Sequence, residues 1–345
     1  MDSHIGKSYP RKTTGRNLLV IGGGLALLLM SALGSMNTGY SKILPMDTLR
    51  TLLGGGQPRE ELIVFSFRLP RIVLSMLIGA GLAVSGGILQ GITGNPLADP
   101  GLLGLNAGAG LMVVLYVMFY GIGSSWTVFM LPPLALAGAA AAALLVWGLS
   151  YQKGAGVSPV RMTMTGIAVQ AGFVALTTLL VVTLDDTQYG FVSSWQLGSL
   201  WGAKWSFVGS LLLWLCILLP LTYRKAKILD ILRLGDETAL GLGLLVSRER
   251  RRLLFLSVAL AAACVSVSGS ISFVGLMAPH MANRIVGPRQ HIALPVGALL
   301  GAVLVSVADT MARMVIQPSS LPTGVMVSIL GAPYFIFLLS KREKE

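Results

Sequence analysis

The chain is poor in the residues that perform chemistry. Its 345 residues include two cysteines, three histidines and fourteen carboxylates. Cys216 and Cys264 both fall inside apolar runs and read as small buried hydrophobes. There is no CxxC and no His/Cys group at metal-ligand spacing, so no metal site or other cofactor is expected. His4, His280 and His291 are scattered over a basic tail, a helix end and a short loop, which leaves Ser/His/Asp catalysis without support. No GxxxxGK[ST] segment occurs, so the chain has no phosphate-cradling loop of its own. The glycine runs Gly22–Gly24 and Gly79-Ala80-Gly81 lie within apolar stretches and read as packing surface. An enzyme is not expected.

Charge is scarce as well. Charged residues make up 12% of the chain, against 54% hydrophobic, and mean hydropathy is +0.76. A soluble protein carries about 25% charge, so this chain cannot cover a water-facing surface of its own size. Forty-two glycines and sixteen prolines do not mean disorder, which requires low hydrophobicity. They fit close helix contacts in lipid.

What the chain has is long uncharged runs. Stretches without Asp, Glu, Lys or Arg cover 17–41, 72–98, 100–152, 162–184, 205–223, 253–283, 290–308 and 314–340. A span needs about 20 residues. Two runs are too long for one helix and break at Gly121–Ser125 and at Ser268-Gly269-Ser270. The expectation is an all-α polytopic membrane protein with about ten transmembrane helices. Alternating polarity, the mark of a β-barrel, is absent. The first apolar run follows a basic start but has the length of a span, so it reads as a retained helix rather than a signal peptide.

The net charge of +12 fits either nucleic-acid binding or cytoplasmic loops. With alternate sides assigned, nineteen of the 26 basic residues fall on the side of both termini. That places the N- and C-termini in the cytoplasm. It also removes nucleic acid as a partner, because no single basic face forms. The resulting layout is a basic cytoplasmic tail over 1–17, a ten-helix transmembrane domain over 18–340 and a short cytoplasmic tail over 341–345, in a cytoplasmic membrane.

Mid-span charges, which a secondary transporter uses for coupling, are nearly missing. Asp99 lies in a loop-like segment, and Asp309 pairs at i, i+4 with Arg313. The energy for transport must therefore come from a partner, or the chain is a passive channel. The segment 223–252 is the largest charged interruption, with eight basic residues. Apolar positions 228, 231, 232 and 234 fit one helical face, Gly235 stops that helix, and Asp236 opens a second. Two short helices joined at a glycine make either a docking knob or a loop resting on lipid headgroups.

Several motifs, in order over roughly 60–340, resemble the FecCD-type permease subunits of ABC importers for ferric siderophores, haem and cobalamin. They are Arg68-Leu69-Pro70-Arg71, Gly79–Gly87, Gly94-Asn95-Pro96-Leu97-Ala98-Asp99-Pro100-Gly101-Leu102-Leu103-Gly104, Leu234–Ala239, Phe273–His280, Ala308–Arg313, Leu321–Val325 and Leu330–Pro333. The resemblance implies ten spans with both termini inside. It also implies two cytoplasmic ATP-binding subunits, a second permease subunit and an extracytoplasmic substrate-binding protein, with a ferric siderophore as cargo. Arg68, Arg71 and Arg313 match positions that dock the binding protein. Leu234, Gly235, Asp236, Glu237, Ala239, Leu242 and Gly243 match the segment that couples to the ATPase. Ser158 and Pro159 match the cytoplasmic gate, and Asn95, Pro96 and Pro279 are expected either to break helices beside the pathway or simply to kink them.

Overall fold

A computed structural model describes residues 14–39, 43–122, 127–152, 156–157, 159–200, 202–316 and 320–342. Fifteen α-helices follow in chain order: α1 (Thr14–Asn37), α2 (Pro45–Leu52), α3 (Pro58–Glu61), α4 (Leu69–Thr93), α5 (Leu105–Tyr120), α6 (Thr127–Ser150), α7 (Pro159–Val181), α8 (Asp186–Gln196), α9 (Trp205–Arg224), α10 (Ala226–Leu232), α11 (Asp236–Gly241), α12 (Val246–Ser268), α13 (Val274–Val286), α14 (Gln290–Val315) and α15 (Thr323–Arg342). Among the described residues, the sole strand pairing is a two-residue antiparallel ladder, Tyr151–Gln152 with Gly156–Val157. Among the described residues, seven helical runs are long and apolar enough to cross a membrane, and Leu105–Tyr120 and Thr323–Ile336 are shorter apolar helices.

The helix ends follow local chemistry. Gly94 ends α4 in the left-handed region at φ 65°, a conformation glycine adopts without steric cost. Gly121 and Gly269 close α5 and α12, at the two breaks expected from the sequence. Asp185 accepts the N–H groups of Thr187 and Gln188 and forms a capping box with Gln188 at the start of α8.

The second apolar run begins earlier than expected. Helix is continuous from Pro58 to Thr93, 36 residues, through α3, a π-helical turn over Leu62–Arg68 and α4. Arg68 and Arg71 therefore sit inside a helix and not in a flank before one. The indole of Trp205 donates to the Phe65 carbonyl at 2.8 Å, joining the start of α9 to the π turn.

Helix α4 is the central element, packed by α14, α12, α13 and α9. Glycine makes these contacts possible. A Cβ at Gly79 would lie 2.2 Å from the Gly301 carbonyl oxygen, and one at Gly86 would lie 1.8 Å from that of Gly275. Backbone meets backbone there, the close approach that small residues permit in lipid. In contrast, α1 is peripheral and leans on α14, and α7 is largely exposed. Cys264 is buried, but Cys216 is exposed. That corrects the expectation of two buried thiols: Cys216 lies on the outward face of α9, where an apolar run alone cannot distinguish lipid from core.

Candidate functional site

One end of the molecule is built around Asp309, which is 1% exposed. Arg71 holds it bidentately, with Nε 3.0 and 3.1 Å from the two carboxylate oxygens and Nη2 2.9 Å from Oδ1. Arg313 donates to Oδ2 from one helical turn away at 3.2 Å, the i, i+4 pair expected from spacing. The Thr323 hydroxyl adds a bond at 2.8 Å. Arg313 also reaches the Ser35 hydroxyl and the Thr38 carbonyl, and Arg68 donates to the Met36 carbonyl. One carboxylate and three arginines thus pin α1, α4, α14 and α15 together. Burying a carboxylate is costly unless it is paired and hydrogen-bonded in this way.

The three arginines expected at this end are brought together, but not as free surface side chains. Arg68 is 6% exposed, and the side chains of Arg71 and Arg313 are 14% and 10% exposed. Sequence reasoning paired Asp309 with Arg313 and missed Arg71, 238 positions away. A signal was present: Asp309 is the one carboxylate between residues 250 and 342.

The other end carries α10 and α11. Asp230 accepts the N–H of Gln290, the first residue of α14, at 2.8 Å. Arg233 donates to the Pro288 carbonyl at 3.1 Å. Burial lowers the Arg233 guanidinium from its ordinary value and Asp230 opposes that shift, so the group stays a charged donor. The knob is therefore bonded to α14. From Gln290 to Asp309 the helix rises about 29 Å at 1.5 Å per residue, close to the hydrocarbon thickness of about 30 Å. The knob and the arginine cluster lie at opposite ends of one bilayer-length helix.

Gly235, at φ 98°, separates α10 from α11 as the sequence implied. The buried stripe of α10 is Ala226, Leu229 and Leu232, with Ile228 and Ile231 beside it. Leu234 belongs instead to the exposed side, because the helix stops at Leu232 and the chain turns. Among the expected coupling residues, Leu234, Gly235, Asp236, Glu237, Leu242 and Gly243 are exposed, whereas Ala239 is fully buried. Ala239 thus supports α11 from beneath and offers no surface. Asp236 pairs with Arg250 at 2.8 Å, and Glu249 takes Lys225 and Arg252. These pairs tie both short helices to the start of α12.

The expected pathway residues divide. Asn95 and Pro96 form the turn that ends α4, with the Asn95 side chain accepting the Leu97 N–H at 3.0 Å. The chain then folds back: Asp99 accepts the Gly101 N–H at 2.7 Å, and Pro100 and Asp99 lie against Gly275, beside the Leu82 carbonyl. Pro279 does not break a helix. It sits inside α13, and the break lies six residues earlier at Phe273, the sole described non-glycine residue with positive φ, at 68°. Proline withdraws the N–H that would have served the Gly275 carbonyl one turn back. Gln90 of α4 replaces it, donating to the carbonyls of Gly275 at 3.3 Å and Leu276 at 3.1 Å. The sequence signals were a glutamine in an apolar run and a proline in need of a donor. Pro159 is the first residue of α7, where its missing N–H costs nothing. Ser158 lies outside the described residues.

The model of the FecCD transport family matches residues 27–341. The chain belongs to that family. It is 46% identical, over 95% of its length and 98% of the relative's, to the iron(3+)-hydroxamate import system permease protein FhuG of Bacillus subtilis. It is 40% identical to the Fe(3+) dicitrate transport system permease protein FecD of Escherichia coli, over 84% of this chain and 89% of that one. It is 38% identical to the hemin transport system permease protein HmuU of Yersinia pestis, over 95% and 97%. A solved ABC transporter of the metal-chelate type, captured facing inward, superposes with a TM-score of 0.81 at 27% identity, covering 94% of this chain and 99% of the other. The FecCD chain is thus an integral membrane permease, the transport subunit of an ABC importer. ATP hydrolysis belongs to a separate subunit of such importers.

Proposed function

We propose that this permease carries a ferric siderophore across the cytoplasmic membrane by alternating access, driven by two copies of a cytoplasmic ATPase. A second permease, identical or paralogous, completes the translocation unit. The observation that carries the reading is the spacing of two bonded ends along α14: a knob of two short helices and an arginine cluster, one bilayer thickness apart. The knob side is taken as cytoplasmic because the basic residues concentrate there. The ten spans are α1, the Pro58–Thr93 helix, α5, α6, α7, α9, α12, α13, α14 and α15, with both termini inside. Basic tails over 1–17 and 341–345 flank the permease domain.

Leu234, Leu240, Leu242 and Leu245, each more than half exposed, give the knob an apolar rim suited to a groove in the ATPase. At the opposite end, three arginines around one aspartate leave excess positive charge. That charge speeds encounter with acidic residues of an extracytoplasmic binding protein. Arg68, Arg71 and Arg313 act there through the field of the cluster and through its rim, since their guanidinium groups are already engaged within the chain. Ferric siderophore is favoured because relatives named for hydroxamate, citrate and achromobactin import cover nearly the whole chain.

Two measurements test the reading. Affinity purification should recover an ATPase subunit in stable complex, and uptake by the permease alone in proteoliposomes would sink the proposal. In a deletion strain, restoring the gene should restore uptake of radiolabelled ferric siderophores. Restoration of cobalamin or haem uptake alone would overturn the cargo assignment.

A further inference from the structure

A cavity of about 190 Å³ lies between α5, α7, α8 and the turn after α12. Its polar lining comes from Asn106, Gln170, Thr177, Thr178, Gln196 and Ser270, and the described residues lining it include no charged side chain. Thr178 is satisfied by the Val174 carbonyl one turn back at 2.9 Å. Two other polar atoms are buried with no hydrogen-bond partner: the hydroxyl of Thr177 and the amide nitrogen of Gln196. Thr177 is 8% exposed. Leaving such groups unpaired costs about 1–3 kcal/mol each, so these two, one from α7 and one from α8, are available to whatever enters the cavity.

The wall is built to be rigid. A Cβ at Gly269 would lie 2.0 Å from the Trp195 carbonyl oxygen, one at Gly198 2.3 Å from that of Ser270, and one at Gly324 2.3 Å from that of Leu197. The Gly324 N–H donates to the Gly198 carbonyl at 2.9 Å. The C-terminal end of α8 is thus clamped by backbone contacts on both sides of Gln196, and Gln196 itself stands opposite Gly110 of α5.

Resting on the permease reading above, we infer that this cavity is a contact site for one edge of the cargo, and that it selects a charge-neutral, oxygen-rich iron chelate of the hydroxamate type. The amide nitrogen of Gln196 only donates, and the Thr177 hydroxyl can donate, so both suit ligand carbonyl or hydroxamate oxygens. An anionic chelate would enter a chamber with no compensating cation, at a large desolvation cost. The cavity is smaller than the roughly 300–1,000 Å³ of a complete ligand pocket. It therefore takes one edge of the cargo, with the second permease subunit covering the rest.

The test is equilibrium binding to the assembled importer in lipid nanodiscs without binding protein, paired with uptake in cells. Ferrichrome serves as the neutral ferric trihydroxamate and ferric citrate as the anionic chelate. Thr177→Val and Gln196→Leu should each weaken ferrichrome binding about fivefold, the equivalent of one lost hydrogen bond, with wild-type abundance in the membrane. Thr177→Ser should bind as the wild type does, and Gln196→Glu, equal in size but without the donor, should fail as Gln196→Leu does. Ferric citrate should bind the wild type at least tenfold more weakly than ferrichrome. Unchanged ferrichrome binding in both the Val and Leu variants, or equal binding of ferric citrate, overturns the inference while ferrichrome uptake leaves the permease reading standing. If the wild-type importer takes up no iron chelate, the permease reading itself falls and takes this site with it.

Discussion

Asp309 shows how much one residue can organise in a chain with so few acids. Its carboxylate takes Arg71, Arg313 and Thr323, and the same arginines continue to α1. Removing one partner of a buried pair costs about 3–5 kcal/mol, because the other charge is stranded. Arg71→Met should therefore lower the thermal unfolding midpoint in detergent markedly. Adding Asp309→Asn should recover part of the loss, since the stranded charge is gone. Additive losses in the double variant would show that the pair does not couple. Charge reversal of all three arginines disturbs this network as well as any docking face, so docking is better measured with variants shown to fold.

Gln90 is a second case at this scale. It serves a carbonyl that Pro279 leaves without its helical donor. Gln90→Leu should cost about 1 kcal/mol in chemical unfolding. In a Pro279→Ala background, where the backbone donor returns, the same change should cost less. An equal cost in both backgrounds would mean that Gln90 stabilises by packing alone.

Among the elements, α10 and α11 are the pair on which the proposed ATPase coupling rests. They are too short to be stable alone, and bonds from Asp230, Arg233 and Asp236 to α14, the Pro288 turn and α12 hold them. A rigidly attached knob transmits displacement, which a loop lying on lipid would not. Glu237→Arg and Leu242→Glu should leave ATP hydrolysis running while chelate uptake falls at least tenfold, measured together in proteoliposomes. Normal uptake by both variants would remove the coupling assignment. A bulky residue at Gly243 is a poorer probe, because Gly243 has φ 79° and any side chain there strains the turn.

For the whole molecule, the distribution of charge predicts sidedness. In a background with Cys216→Ser and Cys264→Ala, a cysteine at Glu237 should react with a membrane-impermeant maleimide only in inside-out vesicles. A cysteine at Leu53, which is 81% exposed at the end of α2, should react only in right-side-out ones. The reverse pattern would invert the topology and move the ATPase dock to the wrong side. The two reporters flank the helices that carry the knob and the arginine cluster, so one labelling experiment orients both.

Much of this architecture was legible in the one-dimensional pattern. Uncharged runs mark helices because lipid offers no partner to an exposed backbone. The glycine breaks after α5 and α12, the stop at Gly235 and the i, i+4 pair of Asp309 and Arg313 are local, and local chemistry decides them. What composition could not show is which face of an apolar helix meets protein, since the bilayer is as apolar as the core. That is why Cys216 is outside and Cys264 inside, why Leu234 leaves the apolar face expected for it while Ala239 is buried, and why α7 is nearly bare. Contacts between distant segments were equally hidden: Arg71 with Asp309, Gln90 beneath Pro279, and the uncharged chamber that places Gln170 and Thr177 of α7 beside Gln196 of α8. The sequence determined a helical membrane permease and its punctuation. Only the tertiary structure decided which polar groups are spent holding helices together and which are left without a partner in the chain, because in lipid that choice depends on what lies across the helix and not on what lies along it.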